Sequence, residues 1–225
     1  FLNYLMAGRK PSPGRINLSP MLTSKGKLYG DLTVACMEDE YFILFGSGLM
    51  QEAHRRWFEN KLPEKGVTYL NRSDDYHGVA ISGPKSRELL NQITRDDVSQ
   101  ESFKFRDIRM TYVGDVPAII IRMSFSGELG YEIYCKPHYL VKLAESIEEA
   151  GEGLGFCWYG SRALLSMRLE KQWGVWTLDF RPDFTAAESG LDAFICWGKD
   201  FIGKEAAEKE KREGTKQKLV NLTIE

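Results

Sequence analysis

Along one segment of the chain Leu28, Leu32, Val34 and Cys36 alternate with Tyr29, Asp31 and Thr33. A period of two puts successive side chains on opposite faces of a strand. A second strand is expected before it, on the other side of the Ser24-Lys25-Gly26 turn and after the turn-rich stretch Lys10 to Gly14. The polar run Glu38-Asp39-Glu40 leads into a third, Tyr41 to Phe45. After Gly46-Ser47-Gly48 the period changes, and Leu49, Ala53, Trp57 and Phe58 fall on one stripe of a helix.

A similar order follows. Gly78 to Ser82 reads as a strand, and Gly83-Pro84 opens a helix from Lys85 to Thr94 with Leu89, Leu90 and Ile93 inward. Three strands are expected at Arg109 to Val113, Ala118 to Phe125 and Tyr131 to Cys135, joined by turns at Gly114-Asp115 and Ser126-Gly127-Glu128. Pro137 opens a helix carrying Leu140, Leu143, Ala144 and Ile147 on one side and ended by Gly151. Ser161 to Lys171 is a further helix, and Ala206 to Lys218 a charged, solvated one. Strand hairpins with packed helices indicate an α+β fold.

Phe1 to Met6 reads as the last turns of a helix, and Leu219 to Ile224 alternates like the start of a strand, so both ends are expected to be cut. The likeness of Phe1-Leu2-Asn3-Tyr4-Leu5 to Leu89-Leu90-Asn91-Gln92-Ile93 suggests an internal duplication whose first half lacks its opening strand. The expected division is a first module at 1–72, a second at 73–205, and a linker with the first strand of a missing C-terminal barrel at 206–225.

Hydrophobic residues make up 43% of the chain and charged residues 28%, with a formal net charge of −2, an ordinary globular balance without global attraction to nucleic acid or anionic lipid. No apolar run approaches the roughly 20 residues of a membrane helix. Cys36, Cys135, Cys157 and Cys196 form no CxxC pair and read as inert thiols of a reducing compartment. His54, His77 and His138 are far apart, and no metal site is expected.

Three places could carry chemistry. Asp31 stands mid-strand, where aspartate is disfavoured. It is either a solvated edge carboxylate or one held on a rigid strand to accept a proton or steady a cation. Glu132 alternates with Tyr131 and Ile133, so it points away from their apolar face, and its two oxygens suit a heterocycle offering two adjacent N–H donors. Arg162 lies in the first turn of its helix, where the macrodipole gives it nothing, which favours an external partner such as Glu132 or a ligand. Arg168 and Glu170 read as ordinary surface or structural pairs. Nucleotide-binding, zinc-protease and serine-hydrolase signatures are absent.

The segments SFSGELGYE at Ser124 to Glu132, MRLEK at Met167 to Lys171, AESGL at Ala187 to Leu191 and DFIGKEA at Asp200 to Ala206, with Pro13 to Val34, resemble the glycine cleavage T-protein (aminomethyltransferase) family. The likeness is strongest to the folate-binding region of dimethylglycine and sarcosine dehydrogenases. It implies duplicated ferredoxin-like modules forming a tetrahydrofolate site, and transfer of a one-carbon unit from a small amine or imine to that folate. It also implies that Asp31 is the catalytic carboxylate, Glu132 holds the pterin and Arg162 stands near the same pocket. Flavin chemistry would need an FAD amine dehydrogenase domain that this chain does not contain.

A free-standing T-protein working on a lipoyl carrier protein is the alternative enzyme. A non-catalytic folate-binding or iron–sulfur-assembly relative, expected to carry a KGCYxGQE-type motif, is disfavoured by Asp200 to Lys204. A sulfonium demethylase is disfavoured by the dehydrogenase-like motifs. The resemblance places the protein in the cytoplasm or, in a eukaryote, the mitochondrial matrix. Three positions depart from the T-proteins: Leu18 replaces an aromatic residue, Gly46 an asparagine, and Gly30 a second aspartate.

Overall fold

The computed structural model describes residues 1–222. Contacts divide the chain into two units, residues 1–71 with 174 onward, and residues 72–173. Residues 174–205, grouped by sequence with the second module, thus make their contacts in the first unit.

The first unit opens with α1 (Leu2–Leu5), followed by β1 (Arg15–Leu22), β2 (Leu28–Glu38) and β3 (Tyr41–Phe45) in an antiparallel sheet of that order. A 3-10 turn leads into α2 (Gln51–Glu59), which lays Phe58 against Leu5, Met6, Met21, Leu32 and Val34 to make the core. The alternation read from β2 holds as far as Leu32; beyond it Thr33 and Ala35 are buried too, so the strand is covered on both faces. The last helix, α6 (Lys204–Glu213), stops five residues short of the expected Lys218, because the φ of 87° at Gly214 leaves the helical region. Residues 219–222 are not a strand; the rest of the strand expected there lies outside the described residues.

The second unit holds β4 (His77–Ser82), α3 (Ser86–Ile93), β5 (Ile108–Val113), β6 (Val116–Ile121), β7 (Gly130–Cys135), α4 (Leu140–Gly151) and α5 (Ser161–Glu170). Its four strands form an antiparallel sheet in the order β4-β7-β6-β5. One face carries Ile81, Val113, Ile120, Tyr131, Ile133 and Cys135 into a core completed by Leu89 and Leu90 of α3 and Leu143 and Ile147 of α4. The strand expected from Ala118 to Phe125 stops at Ile121. The Met123 N–H turns back to the Ile121 carbonyl, and the hydroxyls of Ser124 and Ser126 take over the bonding. Arg168, expected to make a surface or structural pair, takes a structural one: it is 5% exposed and donates Nη1–H to the Trp173 carbonyl at 2.8 Å.

Ile120 lies fully buried at the middle of β6. Its truncation to alanine removes transfer energy and leaves a cavity, so Ile120→Ala is expected to destabilise the protein by about 2–5 kcal/mol. Met110→Ala, at an exposed position on β5, is expected to stay within about 0.5 kcal/mol. Urea unfolding of both variants checks this, and equal effects would contradict the assigned core.

Candidate functional site

Asp31 belongs to the first unit and is half-buried near the start of β2. Opposite it on β1 is Pro20, which has no N–H, and the Pro20 carbonyl accepts instead from the Ala7 N–H at 2.9 Å. The Asp31 N–H bonds its own carboxylate, which pulls the carboxyl pKa down, but burial dominates and pushes it up from 3.8 to about 7. Leu18 and Thr33 face one another on the same side of the sheet as Pro20 and Asp31, so the surroundings are largely apolar. A carboxyl titrating near neutrality on a rigid strand can accept or return a proton without moving the backbone.

Before Asp31 the ladder is irregular. Leu22 faces Leu28 and Met21 faces Gly30, which leaves Tyr29 as the extra residue of a β-bulge. The Tyr29 ring stacks on Trp57 of α2 at 4.2 Å, and its hydroxyl lies 3.4 Å from the Ala53 carbonyl. His54, 7% exposed on the same helix, places Nε2 2.9 Å from the Tyr29 carbonyl. Nothing in the sequence distinguished His54 from a core histidine, because the bulge that it serves is a property of strand register.

Glu132 belongs to the second unit, on β7, which is paired on both sides. Tyr131 and Ile133 are fully buried on the helix-packed face, and Glu132 lies half-buried on the other. Its cross-strand neighbours are Ala80 on β4 and Ile121 on β6. Burial pushes the carboxyl above its usual range, and the Tyr134 hydroxyl, donating to Oε2 at 2.8 Å, partly offsets this. Burial and the neighbouring carboxylate together push the Tyr134 phenol well up, so it remains a donor. Tyr134 was missed in the sequence, although its position two residues after Glu132 on a strand puts both on one face.

The chain just before β7 is fastened by three hydroxyls. Ser124 and Ser126 Oγ are 2.9 Å apart, and Ser82 Oγ lies 3.2 Å from Ser124 and 3.3 Å from Ser126. Arg162 is exposed in the first turn of α5, and among the described residues no ion pair or hydrogen bond joins it to Glu132. The region thus offers one partly satisfied carboxylate on a fixed strand and a separate solvated guanidinium.

Residues 1–199 match the GCVT N-terminal domain family. The chain belongs to that family. It is 36% identical over 229 residues to the mitochondrial dimethylglycine dehydrogenase of Homo sapiens, covering 99% of this chain and 26% of that protein. To the aminomethyltransferase of Desulfitobacterium hafniense it is 31% identical over 227 residues, covering all of this chain and 62% of the relative. The GCVT-family chain therefore spans less than two thirds of these relatives. Its fold matches the glycine cleavage system aminomethyltransferase T of Bartonella henselae with a TM-score of 0.80 at 20% identity, over 95% of this chain and 58% of that one. The α+β architecture with antiparallel sheets is the one expected from the resemblance. No helix among the described residues is long and apolar enough to cross a membrane.

The raised Asp31 pKa fixes a pH dependence. From 3.8 to about 7 the folded state keeps a proton that the unfolded chain releases, so this group's contribution to stability falls as pH rises through that window. Asp31→Asn is expected to flatten that part of the stability–pH curve, as followed by denaturant midpoints at about pH 4, 5.5 and 7, which span the window. An unchanged slope would contradict the burial of this carboxyl.

Proposed function

We propose that this chain is the tetrahydrofolate-binding, one-carbon-transferring part of a protein of the dimethylglycine dehydrogenase type. The observation that carries this reading is the match along 99% of the chain to such an enzyme; the roles follow from Asp31, Glu132 and Arg162 of this sequence. The donor is a small amine or imine, and its oxidation belongs to an FAD amine dehydrogenase segment. The aminomethyltransferase relatives support a second reading, transfer from a lipoyl carrier protein. Gly30, standing where the T-proteins carry a second aspartate, favours the first.

The residues suit a pterin. Glu132 has one oxygen engaged by Tyr134 and no cation beside it among the described residues, so it retains acceptor capacity for neutral N–H donors. A pterin edge presents two adjacent donors of that kind. When bound, tetrahydrofolate supplies the nitrogens that receive the one-carbon unit. Asp31 orients the reacting nitrogen, takes up its proton at a carboxyl oxygen and stabilises positive charge on an iminium-like carbon. A pKa of about 7 lets the same group return to its starting state at neutral pH. Arg162, solvated and unpaired with Glu132, binds an anionic part of the ligand rather than the Glu132 carboxylate that holds the pterin.

Calorimetric titration of tetrahydrofolate into the intact protein tests these roles. Glu132→Gln removes a charge-assisted acceptor, and binding is expected to weaken by about tenfold to a hundredfold. Asp31→Asn is expected to bind within about threefold of the parent, well under the 1.4 kcal/mol of a tenfold change, yet to lose turnover. Parental affinity in Glu132→Gln, or parental turnover in Asp31→Asn, would overturn the assignment concerned.

A further inference from the structure

The proposed roles leave the buried imidazole of His54 without a part. Its Nε2 stands 2.9 Å from the Tyr29 carbonyl, and because a carbonyl only accepts, Nε2 must carry the hydrogen. Burial lowers the His54 pKa, so the ring is a neutral donor at neutral pH. The residue that it holds is the extra one of the bulge, where ladder bonding fails and the backbone path needs another anchor. Ala53 and Trp57, flanking His54 on α2, hold the hydroxyl and the ring of the same tyrosine. One helix therefore fastens both the main chain and the side chain of the residue two before Asp31.

The space for the ring depends on a glycine. A Cβ on Gly30 would stand 2.7 Å from His54 Nε2, closer than real Cβ atoms come, and a tight 3.0 Å from Cε1. Gly46 lies on the ring's other side, where a Cβ would meet Nδ1 at an ordinary contact of 3.6 Å and would collide only with the Leu32 side chain. Gly30 and Gly46 are two of the positions at which this chain departs from the T-proteins it resembles.

We propose that His54 is a positioning residue for Asp31: its Nε2–H on the Tyr29 carbonyl pins the bulged backbone, in space left open by Gly30, and so fixes where the carboxyl stands. Gly30 and Asp31 present opposite faces of the strand, so the effect passes through the main chain and not by contact. This inference rests on the role given to Asp31 above.

The test compares His54→Phe, which fills the space without a donor, with His54→Gln, whose amide can donate to the carbonyl. In the intact protein His54→Phe is expected to lower kcat by about tenfold to a hundredfold, the scale of a misplaced catalytic group, with little change in the KM for tetrahydrofolate. His54→Gln is expected to recover most of that loss. Amide hydrogen exchange at Gly30 and Asp31, a readout independent of turnover, is expected to quicken in His54→Phe and not in His54→Gln. Parental exchange in His54→Phe would overturn the anchoring. Equal kcat losses in both variants, matched by equal falls in Tm, would reduce His54 to a packing residue and overturn the proposal. Parental turnover in Asp31→Asn alongside quickened exchange in His54→Phe would instead remove the role of Asp31 and leave the backbone anchor standing.

Discussion

A carboxyl group taken out of water needs a cation, a set of donors or a proton, and a bare ion left inside costs several kcal/mol. Asp31 and Glu132 are each in that position, and in neither is a cation among the causes that set its pKa. Asp31 has its own N–H and Glu132 has the Tyr134 hydroxyl, and in both burial outweighs the bond. Neither group stabilises the fold in this state at neutral pH. Their placement becomes intelligible as chemistry, since a carboxyl with a raised pKa is poised for proton transfer or for donors brought by a ligand.

Holding such groups still requires more than the residues themselves. Both stand on strands, which are stiffer than loops, and β7 is paired on both sides. The turn into β7 is fastened by the Ser82, Ser124 and Ser126 hydroxyls, and Ser86 Oγ donates to the Leu129 carbonyl at 2.9 Å. Tyr131, next to Glu132, is buried on the opposite face, where it stacks with Phe103 and accepts from Arg87 Nε at 3.2 Å. The SFSGELGYE segment is thus a mounting for one carboxylate: hydroxyls on the approach, an anchor ring beneath, and the acid above.

Much of this was legible in the sequence because it follows from period and turn chemistry. Alternation located β2 and β7, and the Tyr131-Glu132-Ile133 order by itself assigned Glu132 to the face away from the helices. Sequence reading erred where an outcome depends on partners distant along the chain. Ala118 to Phe125 looked like one strand because nothing local announces that the Met123 N–H turns back at Ile121. Arg168 stays open between a surface and a structural pair, because its partner, the Trp173 carbonyl, is main chain and carries no sequence signal. The contacts of residues 174 onward with the first unit include the Phe184 carbonyl accepting from the Leu28 N–H at 2.8 Å, a pairing that no window of sequence contains.

The departures from the T-protein pattern show the same limit from another side. Read along the chain, Gly30 for aspartate and Gly46 for asparagine are two unrelated losses of polar side chains, and His54 is a third, unremarked residue. In space Gly30 and His54 are one packing event, since the imidazole could not remain where it is if Gly30 carried a Cβ, whereas a Cβ on Gly46 would displace Leu32. A glycine on a strand leaves volume, and at Gly30 an imidazole from the neighbouring helix occupies it and donates to the main chain. Whether a departure from a family pattern weakens a site therefore depends on what fills the vacated volume, and here the filler carries a donor aimed at the strand that presents Asp31.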